Sequence, residues 1–211
     1  GDVYKRQHLS YVVGGSGGAG VTVMRTTFLG LQNDFEAWIN GKWQSVKPYS
    51  DRQVIEFPPP YGKIGVYWFD MPESLTLANS FPVKTVTTKF GSFPNFYNHL
   101  TWITAHLFPV SLLKNSGVIE FLSQVSYKMT QVTDKYSGTG VVIKAEVIGK
   151  KSGVKDNFCS SIIYEDTATV TGMGTGGIAE LILSKKLNKP GVWSVENSLS
   201  TELFEEVMQS R

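Results

Sequence analysis

Glycines recur at the spacing G-x-G-x-x-G in two places, as Gly15, Gly17 and Gly20 and again as Gly172, Gly174 and Gly177. That spacing serves anion binding. Glycines let the backbone approach a pyrophosphate at a helix N-terminus, and an acidic residue about 20 positions on holds the ribose. The second copy reads with a strand over 167–170 ahead of it, a helical run over 178–183 behind it and Glu196 at the required distance. Two features argue against either copy being the main cofactor fingerprint. The chain after Glu196 is too short to supply the further parallel strands of a dinucleotide fold, and the element after the first copy reads as a hairpin. The glycines then either let a helix pack close to a strand or shape a pocket for substrate or nicotinamide. For Gly17, Gly18, Ala19 and Gly20 we take the pocket reading.

A second concentration of polar and aromatic groups falls where a strand gives way to a helix: Phe90, Gly91, Ser92, Pro94, Asn95, Tyr97 and Asn98. Such junctions aim backbone N–H groups and side chains into a cleft. The run reads as a capped helix start, with Ser92 or a neighbour capping and Pro94 in the first turn, or as a cap that also touches a ligand. Arg25 has the geometry to grip a substrate carboxylate bidentately, and arginines on helices also face solvent or a domain interface. Of the three histidines, His99 and His106 stand seven apart on one helix face, without the i,i+4 spacing of a helical metal pair. With Cys159 as the lone cysteine, no metal site is expected. Cys159 reads as an inert thiol. No catalytic acid, base or nucleophile emerges from the sequence.

The elements that must position these groups follow from periodicity and turn chemistry. A strand over 9–13, a glycine-rich turn over 14–18 and a helix over 19–31 come first. Strands over 35–39 and 42–46 flank Asn40-Gly41, which favours the positive φ angles of a tight hairpin. Strands over 52–57 and 65–70 flank a run of three prolines, and Pro72 opens a short helix. A Thr/Val strand over 83–89, helices over 93–107 and 118–132, a long hairpin over 140–148 and 154–164, and closing helices over 178–187 and 201–209 complete the chain. Hairpins mixed with helices predict an α+β fold, a mixed and largely antiparallel sheet covered by helices, rather than regular βαβ alternation.

Composition bounds the rest. The chain has 211 residues, 41% of them hydrophobic, with five Trp, twelve Phe and nine Tyr, which is ample material for one packed domain. Residues 1–8 read as a sequence-end artefact or truncation scar, and 9–211 as the domain. Twenty basic residues against eighteen acidic ones, scattered without a basic stripe, make nucleic acid an unexpected partner. The most apolar stretch, 100–113, is broken by His106 and Pro109, so no membrane span is expected. One cysteine, no N-glycosylation sequon and no secretory leader fit a cytoplasmic protein.

The run Gly17-Gly18-Ala19-Gly20, then Lys47-Pro48-Tyr49, then Phe90-Gly91 with Pro94 and Phe96, and the ending from Thr171-Gly172 to Lys189-Pro190-Gly191-Val192 together resemble the saccharopine dehydrogenase-like family, closest to its plant and cyanobacterial members. The likeness covers about 9–211. It implies a C-terminal catalytic or substrate domain whose mixed sheet forms the substrate cleft and often the dimer contact of a homodimer. It also implies a preceding Rossmann domain, missing here, that carries most of the NAD(P) site. The implied chemistry is hydride exchange between a nicotinamide and a C–N bond of an amino-acid-derived small-molecule substrate. Gly17, Gly18, Ala19, Gly20, Arg25, Phe90, Gly91, Asn95, Tyr97 and Asn98 are the candidate substrate-binding residues. Family members acting on saccharopine carry an arginine in the glycine-rich turn where this sequence has Ala19. By itself the fragment is expected to be inactive, since a hydride step needs both reactants held together. The alternative is a non-catalytic binding or dimerisation domain that retains the fold.

Overall fold

The computed structural model describes residues 3–18 and 20–209, in an α+β arrangement. In chain order the elements are β1 (Val3–Gly14), α1 (Val21–Leu29), β2 (Phe35–Ile39), β3 (Lys42–Val46), β4 (Gln53–Phe57), β5 (Gly62–Trp68), α2 (Pro72–Ser80) and β6 (Thr85–Phe93). There follow α3 (Phe96–Leu107), α4 (Val110–Leu113), α5 (Ser116–Ser137), β7 (Gly140–Lys151), β8 (Val154–Tyr164), α6 (Thr167–Leu183), α7 (Val195–Ser198) and α8 (Thr201–Gln209). Contacts divide the chain after Asp166 into two compact units.

The first unit is built on a six-stranded sheet in the order β4-β5-β6-β1-β7-β8, with β2 and β3 as a separate pair. Only β1 and β6 run parallel, in register from Arg6↔Thr85 to Gly14↔Phe93; the other pairings are antiparallel. The β2–β3 turn has the expected chemistry, with Asn40 at φ 54° and Gly41 at φ 79°. Because side chains alternate along a strand, β1 sends Tyr11 and Val13 to one face and Arg6, His8, Ser10 and Val12 to the other. On the first face, Tyr11, Val13, Tyr67 and Phe90 pack with Phe28 of α1, Ala105 of α3 and Ile119 of α5. On the second face the sheet curls, so that Val12, Val66 and Val142 close on Phe57, Tyr61 and Ile64. The curl brings β4 across to β7, where Lys144 Nζ donates to the Glu56 carbonyl at 3.1 Å.

The α5 helix shows how local sequence sets the boundaries. Asn115 caps it, its Oδ1 accepting from the Gly117 and Val118 amides at 2.9 and 3.2 Å, and Gly138 at φ 73° ends it. Within the second unit, α6 packs with α8, Leu181 and Val207 are buried, and Lys186 Nζ pairs with Glu206 Oε1 at 2.5 Å.

Several expectations are corrected. The first strand is Val3–Gly14 rather than 9–13, because both of its edges are paired along nearly its full length. The strand expected over 83–89 runs from Thr85 to Phe93, since the parallel ladder with β1 carries it past Lys89; the next helix therefore starts at Phe96 instead of 93, and Pro94 lies ahead of its first turn. Residues 167–170, expected as a strand, form the first turn of α6. That helix continues through Gly172, Gly174 and Gly177 despite their low helix propensity, so the second glycine motif is helix and not a phosphate loop.

Gly91 marks a tight approach in the sheet. A Cβ there would lie 2.5 Å from the Gly65 carbonyl oxygen of the neighbouring strand, a backbone atom that cannot swing aside. Gly91→Ala is expected to cost about 2 kcal/mol through overpacking. Urea denaturation checks this, and an unchanged midpoint would contradict the close packing.

Candidate functional site

The concave face of the sheet holds an open cleft of about 490 Å³. Its floor comes from three adjacent strands in register: Thr87 and Lys89 of β6, His8 and Ser10 of β1, and Glu146 of β7 beside Lys144. Ser10 and Thr87 are buried, and Lys89 is 2% exposed. A buried ammonium needs partners to offset its lost hydration. Lys89 Nζ donates to the Asp51 carbonyl at 2.6 Å and to Asp51 Oδ2 at 2.7 Å, and stands 5.3 Å from the centroid of the Trp68 ring. Burial pulls its pKa below the ordinary 10.5, with Asp51 acting in the opposite direction. The loop before β4 presents Asp51 by holding Tyr49 and Asp51 at φ 58° and 46°, and the Tyr49 amide and Ser50 carbonyl bond to the Trp68 backbone at 2.8 and 3.1 Å.

The His8 ring shares this cleft. Its Nδ1 bonds the Thr87 hydroxyl. Burial holds the imidazole below its ordinary 6.5, against the pull of Glu146, while Arg6 and Lys89 add to the depression. Lys144 Nζ lies 3.7 Å from Glu146 Oε1. The cleft is thus lined by one member of each of two ion pairs, Lys89 with its partner Asp51 in the loop before β4 and Glu146 with its neighbour Lys144, together with the His8 imidazole on the Thr87 hydroxyl. These residues were missed by the sequence reading. The signal available was the alternation His8, Ser10, Val12 on one face of a strand that extends back to Val3.

The residues singled out in sequence fall elsewhere. Asn98 is fully buried and spends its side chain inside the fold: Oδ1 accepts from the Tyr49 hydroxyl and the Ser92 amide, both at 2.8 Å, and Nδ2 reaches the Gly65 carbonyl at 2.9 Å, the Ser92 carbonyl at 3.2 Å and Asn95 Oδ1 at 2.8 Å. Asn95 sits at the N-cap of α3 without a capping side-chain bond, and its Oδ1 also accepts from the Gly65 amide at 3.2 Å. Arg25 forks onto Glu120 Oε2 of α5 at 2.9 and 2.6 Å. Gly17, Gly18 and Gly20 belong to the turn between β1 and α1, and Ala19 lies outside the described residues. Phe90 and Tyr97 do come together, in a second cavity on the helix side.

That cavity, about 260 Å³, lies between α1, α3 and α5 above the ends of β1 and β6. Val13, Phe28, Phe90, Leu100, Leu122 and Met129 are among its lining, and no acid, lysine, arginine or histidine is.

Whether the first glycine turn could hold the pyrophosphate of NAD(P) is decided by what already fills it. Asp134 of α5 takes the Ser16 amide on Oδ1 at 3.1 Å and the Ser16 hydroxyl on Oδ2 at 2.7 Å. Gly15, at φ 55°, leaves room for that carboxylate: a Cβ there would fall 1.7 Å from Asp134 Oδ1. The Asp166 carboxylate crowds Gly18 in the same way. Two acids against the turn repel a pyrophosphate, so it does not fit here. The turn also has the G-x-S-x-G spacing, Gly14-Gly15-Ser16-Gly17-Gly18, which the sequence reading overlooked. Ser16 is hydrogen-bonded to a carboxylate rather than to an imidazole, so it lacks the base an activated serine needs. Among the described residues there is no group of three or more His, Cys, Asp or Glu that could hold a metal ion, and no helix long and apolar enough to cross a membrane. No protein-family model matches the chain, and no curated protein matches it.

The depressed histidine makes a pH prediction. The unfolded chain takes up the proton first as pH falls below 6.5, so His8 favours the fold above that value and disfavours it progressively down to its folded pKa. The melting temperature of the wild type should therefore drop more between about pH 7.5 and pH 5.5 than that of His8→Gln. Equal drops would contradict a half-buried imidazole kept neutral by its surroundings. Asn98→Ala, which strands several buried backbone groups, is expected to lose about 3 kcal/mol in chemical denaturation.

Proposed function

We propose that this chain is the substrate-binding part of a saccharopine dehydrogenase-like, nicotinamide-dependent oxidoreductase acting on a C–N bond of an amino-acid-derived substrate. The observation that carries the reading is the alternation of charge in the concave cleft. A zwitterion needs a cation for its carboxylate and a carboxylate for its ammonium; Glu146 lines the cleft with Lys144 next to it on β7, and across β1 Lys89 of β6 is paired with Asp51 of the loop before β4. Ser10 and Thr87 add hydroxyls between them.

The nicotinamide, held mainly by a further domain, supplies or accepts the hydride at carbon when bound. What this chain contributes is orientation and a proton. Reduction of an imine places the hydride on carbon and a proton on nitrogen; oxidation of the amine reverses both. His8, neutral and with Nδ1 committed to Thr87, leaves its other ring nitrogen to exchange that proton. Saccharopine itself is disfavoured by Ala19, which stands where family members that use it have arginine. A smaller or less charged amino-acid imine suits the two charge pairs better.

Calorimetric titration with glutamate, lysine and saccharopine tests the reading. Saturable binding of at least one, weakened tenfold or more in Lys144→Met with the fold retained, is the expected result. Equal affinity in wild type and variant, or no binding by any of them, overturns it. With a nucleotide-binding domain attached and NADPH present, binding without turnover would instead favour the non-catalytic alternative.

A further inference from the structure

The helix-side cavity is separate from the polar cleft, lies on the opposite face of the sheet, and is not used by the proposed reaction. Its four threonine hydroxyls are turned to the helices that carry them: Thr27 donates to the Val23 carbonyl at 2.9 Å, Thr101 to the Tyr97 carbonyl at 3.0 Å, Thr104 to the Leu100 carbonyl at 3.0 Å and Thr130 to the Tyr127 carbonyl at 2.8 Å. Tyr97 shares its hydroxyl with Thr133 at 2.7 Å. An ordered water needs two to four polar partners, and a lining that is mostly hydrocarbon, with its threonine donors committed in this way, offers few of them. The cavity also has a mouth. Leu100 and Ile103 of α3 and Val125 and Met129 of α5 line it and yet remain 36% to 41% exposed.

We propose that this cavity binds an uncharged hydrocarbon group from a small molecule, entering between α3 and α5. A dry cavity of about 150 Å³ accepts benzene. By that scale, the 260 Å³ here suits a chain or fused ring of about ten carbons. The floor reaches Val13 and Phe90 on the sheet, so the site is deep rather than a surface groove. It is also smaller than one turn of a helix about 10 Å wide, which sets a hydrocarbon apart from a docked polypeptide.

The test uses 1-decanol with the folded chain, followed by calorimetry and by displacement of anilinonaphthalene sulfonate. One-to-one binding is expected, with affinity falling at least tenfold in Ser126→Phe, which places a ring into the cavity from α5. Val125→Trp, acting at the mouth, is the second variant if the first does not fold. A crystal soaked in 10-bromodecanol should show bromine density between α3 and α5 irrespective of either variant. Absence of saturable binding to the folded wild type, unchanged affinity in a folded variant, or density confined to another surface overturns the proposal. Failure of saturable binding is also the outcome expected if a polypeptide covers this face. Because the cleft of His8 and Lys144 is not involved, the amino-acid titration can fail while decanol binds, and the reverse.

Discussion

Everything built on the end of β6 depends on the buried amide of Asn98. Its five hydrogen bonds join α3 to the end of β6, to β5 through Gly65 and to the loop before β4 through Tyr49. A buried network of this kind stabilises only when every member is satisfied, and here the backbone groups it serves belong to segments far apart in sequence. Tyr49 also stacks on Tyr67 at 4.4 Å between ring centroids, so the loop that delivers Asp51 to Lys89 is fixed from the same point. One polar side chain thereby positions groups on both faces of the sheet: Tyr97 and Ser92 at the apolar cavity, and Lys89, through its partner Asp51, in the cleft.

The two faces solve different problems. Helices cover the convex side with aromatic and aliphatic packing, and the volume left between them is lined mostly by apolar groups. The concave side is closed by curl alone: the Val12, Val66 and Val142 cluster plugs one end, and the other end is left to charged and hydroxyl side chains. Keeping Lys89 buried there is costly unless Asp51 stays in place. That cost is retained where a fixed charge has a use, which is the physical ground for reading the cleft as the site of chemistry.

Particular residues show what the sequence made legible. Asn40-Gly41 and Pro72 announced their hairpin and helix because turn and helix-start chemistry are local. The class, an α+β fold with a mixed sheet, followed from hairpins alternating with helices. Strand ends did not follow, since β1 and β6 extend by pairing with each other and that pairing is nonlocal. The strand expected over 167–170 was wrong because the glycine spacing that follows it, at Gly172, Gly174 and Gly177, says nothing about whether the segment is loop or helix. Asn95 and Asn98 stood out as polar groups at a junction, and the sequence could not show that their bonds would be spent internally. His8, Lys89, Lys144 and Glu146 were invisible as a group because they lie on three strands, and because residues 1–8 were set apart from the domain.

The claim that the concave cleft recognises an amino-acid zwitterion is tested most directly by a crystal structure of the chain grown with a saturating amino acid that calorimetry shows to bind. The expected result is a ligand carboxylate within hydrogen-bonding distance of Lys144 Nζ and its nitrogen near Glu146 and His8. A ligand seated on the helix side, or a cleft without density at saturation, would contradict it.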